Sequence, residues 1–492
     1  MDALAFEHHL VSPQGSRRLP AEGFVVSVGG AACCDELTLS VEVDTASVID
    51  AGFIASGCGA TTAAASAAVT LVRGRPLLEA ARIGAREISA ELGGLSPAKS
   101  HAAELAADAL ARALGKAASA RANLAQGADR TLVAMSGGVD SAVAALRCRD
   151  AGETVAVTLE LWSDHENDAE RSCCSASAVA QARALAHSLG LPHFTLDLRN
   201  EFRRGVVEPF IAGYAAGETP NPCVGCNGHV RLDAMLELAE RLGCRRLATG
   251  HYARVAEGVD GLPLLRLAAD PAKDQTYMLA ALAPASLARM HFPLGELTKP
   301  EVRGIAATAG LPVAGKADSQ DLCFLAGTDR GRFLARHGRL RDRPGRLVDP
   351  AGNLLGVHRG QHHFTVGQRR GLGVAASEPL YVLDKDAASN TVTVAPASAL
   401  RTRRVALRGV RLHRPGRHVD RVKLRYRSRP LAATLVGDPG AGTHRRLELD
   451  LGEDAAAAAP GQLACLIGGE QVIGWGTITR AGDEALAPSA RG

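Results

Sequence analysis

Thr131-Leu132-Val133-Ala134-Met135, running straight into Ser136-Gly137-Gly138-Val139-Asp140-Ser141, is the stretch whose reading decides the fold. The first five residues have the apolar run of a short buried strand. The two glycines bend the backbone so that its N–H groups converge on one point. A helix opens directly afterwards, and its N-terminus adds a partial positive charge at the same place. Strand, glycine turn and helix start together form a cradle for an anion. Ser136 and Ser141 bring hydroxyl donors to phosphate oxygens, and Asp140 brings a carboxylate able to act through Mg²⁺. A Walker A loop would also carry a Lys for the β- and γ-phosphates, and this loop has none.

Outward from the loop, strands and helices alternate. TVAVTLEL (154–161), HFTLDL (193–198) and RRLATG (245–250) read as further strands, with helical segments at Ser177–Leu189 and Leu232–Leu242. This order predicts an α/β domain over 130–331, a parallel sheet with helices on both faces. Upstream, the alternation of Leu37–Val43 (LTLSVEV) predicts a strand, and Ala60–Val72 and His101–Leu114 have helical spacing, so 1–117 reads as a small α+β domain. Residues 118–129 read as a polar linker, and the N-terminal unit is expected to assist the rest of the chain, which looks complete from Arg130 onward, without being essential to it. Downstream, NTVTV (390–394), RVKLRYR (421–427) and QLACLIG (462–468) alternate as short strands. They predict a small central domain at 332–394, a β-barrel at 395–482 and a disordered tail at 483–492.

The chain has 492 residues, 46% of them apolar and 22% charged, ordinary for a globular protein of about three domains. Aromatic residues are only 3%, so Leu, Val, Ile and Ala must build the core. No apolar run reaches the ~18–20 residues that cross a bilayer, and the N-terminus has no signal-peptide pattern. A cytoplasmic protein with no membrane partner is expected. The net charge of +4 is unevenly placed: residues 331–430 hold 22 Lys and Arg against 6 Asp and Glu. A polyanionic partner, most simply nucleic acid, is the expectation.

Eleven cysteines, an odd number over a long chain, argue against a disulfide framework. They cluster instead, at Cys33-Cys34, Cys173-Cys174 and Cys223-Val224-Gly225-Cys226; Cys323 stands in Asp318-Ser319-Gln320-Asp321-Leu322-Cys323-Phe324. Persulfide chemistry needs two thiols that can meet, and an iron–sulfur site needs three or four thiolates. Cys223, Cys226 and Cys323 satisfy either description. Cys148, Cys244 and Cys465 read as core residues.

The SGGVDS loop resembles that of the PP-loop ATP pyrophosphatases. With Thr219–Asn227, Ala248–Arg254 (ATGHYAR), Lys273–Tyr277 (KDQTY), the Cys323 segment and Phe364–Gly373 (FTVGQRRGLG), the chain from Arg130 to Ile478 resembles the tRNA-specific 2-thiouridylases. The resemblance implies ATP-dependent 2-thiolation of the wobble uridine, U34, of tRNA. It places the nucleotide on Ala134, Met135, Ser136, Gly137, Gly138, Val139, Asp140, Ser141, Leu159 and Gly250. It makes Cys226 the catalytic cysteine and Cys323 the persulfide carrier, and it sets Asn221, Pro222 and Cys223 at the target base. His251, Lys273, Asp274, Gln275, Arg425, Tyr426 and Gln462 fall at tRNA-contacting positions. Two departures stand out: Cys223 replaces a common Asp, and Leu159–Trp162 lacks the usual Met and Lys near the adenine.

Ala32-Cys33-Cys34-Asp35 and Ser56-Gly57-Cys58-Gly59-Ala60 resemble two ligand loops of the U-type iron–sulfur scaffolds. That resemblance implies a metal or cluster site at Cys33, Asp35 and Cys58. The expected third cysteine is replaced by Ala102, leaving His101 as a substitute ligand. The implied cofactors are ATP, Mg²⁺ and a [4Fe–4S] cluster, the last on Cys223, Cys226 and Cys323 or in the N-terminal domain. The implied partners are tRNA and a sulfur donor: a cysteine desulfurase, a relay protein or free sulfide. Two other readings stay open, a PP-loop sulfurtransferase for another tRNA base and an iron–sulfur scaffold or carrier.

Overall fold

The computed structural model describes residues 3–29, 34–164, 176–258, 261–317, 322–325, 327–456 and 458–480. Cys33, Cys173, Cys174, the Asp318–Asp321 part of the Cys323 segment and the tail at 483–492 lie outside the described residues. The chain forms two compact units. The first holds Met1–Arg199, Arg231–Tyr252 and Arg289–Ala326; the second holds Asn200–Val230, Ala253–Ala288 and Gly327–Gly492. The α/β domain expected as one block over 130–331 is thus shared between them.

In the first unit, the N-terminal domain has helix α1 (Ala3–Val11) and a three-stranded antiparallel sheet, β1 (Phe24–Gly29), β2 (Glu36–Val43) and β3 (Val48–Ser56). Leu37, Leu39, Val41 and Val43 alternate into the core, the period of two that a half-buried strand requires. Two longer helices, α2 (Gly59–Val72) and α3 (Ser100–Arg121), pack with the sheet, and short helical segments at Leu77–Ala80 and Ala85–Glu91 lie between them. Ala63, Ala64, Ala67 and Ala68 are fully buried on α2, small side chains that let a helix pack closely where aromatic residues are scarce.

The same unit holds a five-stranded parallel sheet built from β4 (Thr131–Ala134), β5 (Thr154–Glu160), β6 (His193–Asp197), β7 (Arg246–Ala248) and Met290–His291. Helices α4 (Val139–Ala151), α5 (Ala176–Ser188), α6 (Leu232–Arg241) and α7 (Lys299–Thr308) accompany it. The predicted strands and helices fall within a few residues of these bounds. Every residue of β5 is buried, as in a parallel strand covered on both faces. From β4 the sheet grows one way through β5 and β6 and the other way through β7. The resulting switch point, at the carboxyl ends of the strands, is where such sheets take ligands, and the phosphate loop stands there.

The N-terminal domain is not a tethered appendage. Helix α3 continues to Arg121, into the predicted linker, and lies against β6. A Cβ on Gly115 would come within 2.0 Å of the Thr195 carbonyl oxygen, so only glycine permits this approach. His193 N–H donates to the Ala81 carbonyl at 2.8 Å, and Leu124 N–H to Arg241 O at 2.8 Å. The stretch expected as a linker from residue 118 is thus helical as far as Arg121.

In the second unit, β8 (Arg254–Glu257) and β9 (Pro263–Arg266) form a hairpin. A four-stranded sheet follows, from β10 (Gly345–Val348), β11 (Leu354–His358), β12 (Leu380–Asp386) and β13 (Thr391–Pro396). Six strands then close on themselves: β14 (Thr402–Leu412), β15 (Arg421–Lys423), β16 (Leu431–Leu435), β17 (Gly442–Ala455), β18 (Leu463–Gly468) and β19 (Gln471–Thr479). Pairing of β14 with both β17 and β19 makes the barrel, and the β8–β9 hairpin extends from β19. Leu407, Val410, Val422, Leu449 and Leu466 fill its interior. The strand expected over 421–427 stops at Lys423, because Ser428 N–H bonds back to Arg425 O and turns the chain. Among the described residues no helix is long and apolar enough to cross a membrane.

Candidate active site

Strand β4 ends at Ala134 and α4 begins at Val139, so Met135–Gly138 make the whole phosphate turn. Gly137 has φ +69°, a conformation that side chains disfavour. Gly138 caps α4 in extended geometry. Ser141 Oγ donates to Gly138 O at 3.1 Å and accepts from Ser136 N–H at 3.1 Å. Ser141, buried, therefore ties the turn together, whereas the sequence reading gave its hydroxyl to phosphate; Ser136 is half-buried.

Two lysines from distant parts of the chain reach the loop. Lys299 Nζ, at the start of α7, donates to both oxygens of Asp140 at 2.7 and 2.8 Å, and Tyr252 OH donates to Oδ1 at 2.9 Å. Lys316 Nζ donates to Gly137 O at 3.0 Å and to Gln181 Oε1 at 3.2 Å. These partners lie 159 and 179 residues apart in sequence, so local spacing could not reveal them. Both Asp140 oxygens accept from an ammonium, which gives the Mg²⁺ expectation no support from this carboxylate.

Gly250 packs on the start of α4: a Cβ there would lie 2.7 Å from Ser141 N and 2.8 Å from Asp140 C. Next to it, His251 Nδ1 bonds Thr249 Oγ1 at 2.8 Å, and burial followed by the nearby Arg231 charge pushes its pKa down to about 3. The imidazole is neutral at physiological pH, so any tRNA contact it makes is not that of a cation. Leu159 is buried at the end of β5, beside Glu160. Cys323 belongs to this unit, half-buried in the turn Cys323–Leu325.

Cys223 and Cys226 belong to the second unit. Asn221 Oδ1 accepts from Cys223 N–H at 3.1 Å and caps the turn Pro222–Gly225, with Pro222 at its first position. A π-type turn, Cys226–Arg231, follows, a form frequent at functional sites. Cys226 is buried and Cys223 half-buried. Gln462 Nε2 donates to Thr219 O at 2.6 Å, and Thr219 N–H to Pro460 O at 2.8 Å, so the barrel braces the chain leading into the cysteine turn.

Arg425 and Tyr426 occupy the turn after β15. With Thr219, Gln368, Ser428 and Gln462 they line a cavity of about 720 Å³. Asp274 is different. Its buried carboxylate accepts from Ala268 N–H, Thr276 Oγ1 and Lys423 Nζ, so it organises its own loop instead of facing tRNA. Lys423 is buried with it and leaves the exposed basic surface, while Lys273 and Gln275 are half-buried on the same loop. Cys148, Cys244 and Cys465 have thiols pushed up to about 12 by burial, as inert core residues should.

In the N-terminal domain, His101 Nε2 lies 3.6 Å from Asp35 Oδ2 and 4.0 Å from Cys58 Sγ. Asp35 also accepts from Cys58 N–H and Thr61 Oγ1. One sulfur, one nitrogen and one carboxylate suit a single zinc-like ion. A [4Fe–4S] cluster asks for more thiolates than this described trio offers.

Comparison with known proteins accords with both halves. Residues 129–327 match the tRNA methyl transferase HUP domain, 331–396 the tRNA methyl transferase PRC-barrel domain, and 7–123 the NifU-like N-terminal domain. The bifunctional protein NifU/MnmA of Rubrobacter xylanophilus is 43% identical over 96% of this chain and 97% of its own length. The tRNA-specific 2-thiouridylase MnmA of Acidithiobacillus ferrooxidans is 44% identical over 71% of this chain and 98% of its own. With matches of that extent, the chain belongs to the MnmA family of tRNA-specific 2-thiouridylases, in the form that carries a NifU-like N-terminal domain.

Proposed function

We propose that this protein is a cytoplasmic tRNA sulfurtransferase that uses ATP to replace O2 of the wobble uridine, U34, by sulfur. The observation that carries the reading is the braced phosphate loop: Ser136–Ser141 at the sheet's switch point, with Lys299 on Asp140 and Lys316 on Gly137. Lys316 and the loop N–H groups hold the polyphosphate, and Mg²⁺ enters as the counter-ion of ATP. Uracil O2 attacks the α-phosphorus and pyrophosphate leaves, so that O2 becomes part of an AMP leaving group. The outer sulfur of a Cys323 persulfide attacks C2 and AMP departs. The Cys226 thiolate then attacks the inner sulfur; the S–S bond to the base breaks, 2-thiouridine is released, and a Cys226–Cys323 disulfide remains for an external thiol to reduce. A cysteine desulfurase or a persulfide-carrying relay protein reloads the reduced Cys323 with sulfane sulfur; free sulfide reloads it only by attacking the Cys226–Cys323 disulfide itself, which forms the Cys323 persulfide and frees the Cys226 thiolate.

Arg425, Tyr426 and Gln368 around the second unit's cavity serve tRNA, with Lys273 and His251 as further contacts. The N-terminal trio Asp35, Cys58 and His101 holds a metal ion. The test is separation of the half-reactions. Cys226→Ala and Cys323→Ala are expected to lose thiolation while still consuming ATP when tRNA is present. Thiolation surviving in Cys323→Ala with a persulfide donor would remove that residue from the route.

A further inference from the structure

We propose that Arg112, on helix α3 of the NifU-like domain, is a positioning residue of the nucleotide site, where it cancels the Glu160 carboxylate at the carboxyl end of β5. The inference rests on the reading that the phosphate loop takes ATP. Strands β4 and β5 run parallel with Ala134 opposite Val157, and Met135 N–H donates to Val157 O at 2.8 Å. Leu159 and Glu160 therefore continue beyond β4, at the end of the sheet where the phosphate loop stands. Glu160 is 5% exposed. A carboxylate buried there is unfavourable in two ways. It has lost its hydration, and it repels an incoming polyphosphate through a medium that screens poorly.

Arg112 answers both. Its Nη1 is paired with Glu160 Oε2, while its Nε donates to Asp108 Oδ2 at 2.8 Å. Asp108 in turn accepts from Arg183 Nη1, on α5, at 2.5 Å. The guanidinium is thus held from two sides and only 14% exposed at its side chain. Arg199 is the other cation near Glu160, but it stands back at 3.8 Å and is engaged by Asp197 at 2.5 Å. Gly115, one turn further along α3, fixes the depth at which Arg112 enters by its contact with Thr195. The fused domain therefore supplies the counter-charge of a carboxylate at the loop end of the sheet, beyond any task at its own Asp35–Cys58–His101 cluster.

The test uses the full chain, with Arg112→Gln and Arg112→Gln/Glu160→Gln, folding checked by thermal denaturation. Parental ATP turnover is measured first; its absence would sink the ATP reading and leaves a separate signature from the outcomes that follow. Arg112→Gln is expected to raise KM for ATP about ten-fold, the scale of one unmatched buried charge repelling a polyanion, with kcat changed much less. The double variant should return KM to within about three-fold of the parent, since it removes the charge that needed cancelling. A parental KM in Arg112→Gln overturns the proposal. So does a double variant as impaired as the single one, because the loss would then be one of packing. If Arg112→Gln does not fold, a folded double variant with near-parental KM supports the proposal and a ten-fold raised KM rejects it.

Discussion

Lys299 Nζ donates to both oxygens of Asp140, at 2.7 and 2.8 Å, across the first turn of the helix that follows the phosphate loop. Lys299 is itself buried, so removing Asp140 leaves a poorly solvated ammonium. Lys299→Met is expected to raise KM for ATP about ten-fold or more, the scale of a charge-assisted hydrogen bond of ~1.5–3 kcal/mol. Asp140→Ala should abolish pyrophosphate release while tRNA binding survives. Equal ATP kinetics in the Lys299 variant and the parent would show that the pair is not part of the nucleotide site.

Gly250→Ala places a methyl group 2.7–2.8 Å from backbone atoms of Asp140 and Ser141. Backbone cannot swing away as a side chain can, so the strand end or α4 must shift. A loss of about 1–3 kcal/mol in unfolding free energy is expected, with lower ATP turnover. Denaturant melts and initial rates on the same preparation check both; a variant of parental stability and activity would contradict the packing.

The loop's strand and helix are legible from residue pattern alone because apolar runs and glycine turns act locally. The cations on it are not. Lys299 and Lys316 reach it only after folding, and nothing in their neighbours marks them. Asp274 shows the opposite limit: a motif marks a segment but does not say which way a side chain points, and this one turns inward to Lys423 and Thr276. The Cys58–His101 pairing was legible because position 102 lacks the cysteine that the neighbouring pattern calls for, and the structure does bring His101 to Asp35 and Cys58.

His251 has its pKa lowered to about 3 in the folded protein against about 6.5 unfolded. Between these values the unfolded chain binds the extra proton, so stability rises with pH across this window. The contribution is fully present above about pH 6.5 and is lost as pH falls toward 3. Acidification from pH 7 to pH 5 should cost at most ~2 kcal/mol through this residue. Unfolding of the parent and of His251→Gln at the two pH values checks this. An equal or larger acid loss in the variant would contradict the assignment.

Arg425→Gln is expected to weaken tRNA binding and to lower the salt slope of log K by about one, since a lost phosphate contact no longer releases a counterion. Lys423→Gln should leave that slope unchanged, because Lys423 is buried against Asp274. Binding titrations across a salt series separate the two; a reduced slope in the Lys423 variant would mean its charge reaches the surface.

Cys223 separates the two sulfur routes. The persulfide route uses Cys226 and Cys323, so Cys223→Ala should keep thiolating tRNA when a persulfide donor is supplied. Anaerobic preparation with iron and sulfide analysis provides the second readout. Iron and activity disappearing together in Cys223→Ala would assign the sulfur to a cluster held by the three cysteines instead.

The most direct test of the central claim is a turnover with ATP labelled at the α-phosphate, tRNA bearing a wobble uridine and a sulfur donor. The account predicts labelled AMP, formed only with tRNA present and in about one-to-one ratio with 2-thiouridine at position 34. Labelled ADP in place of AMP, or 2-thiouridine formed without ATP consumption, would contradict it.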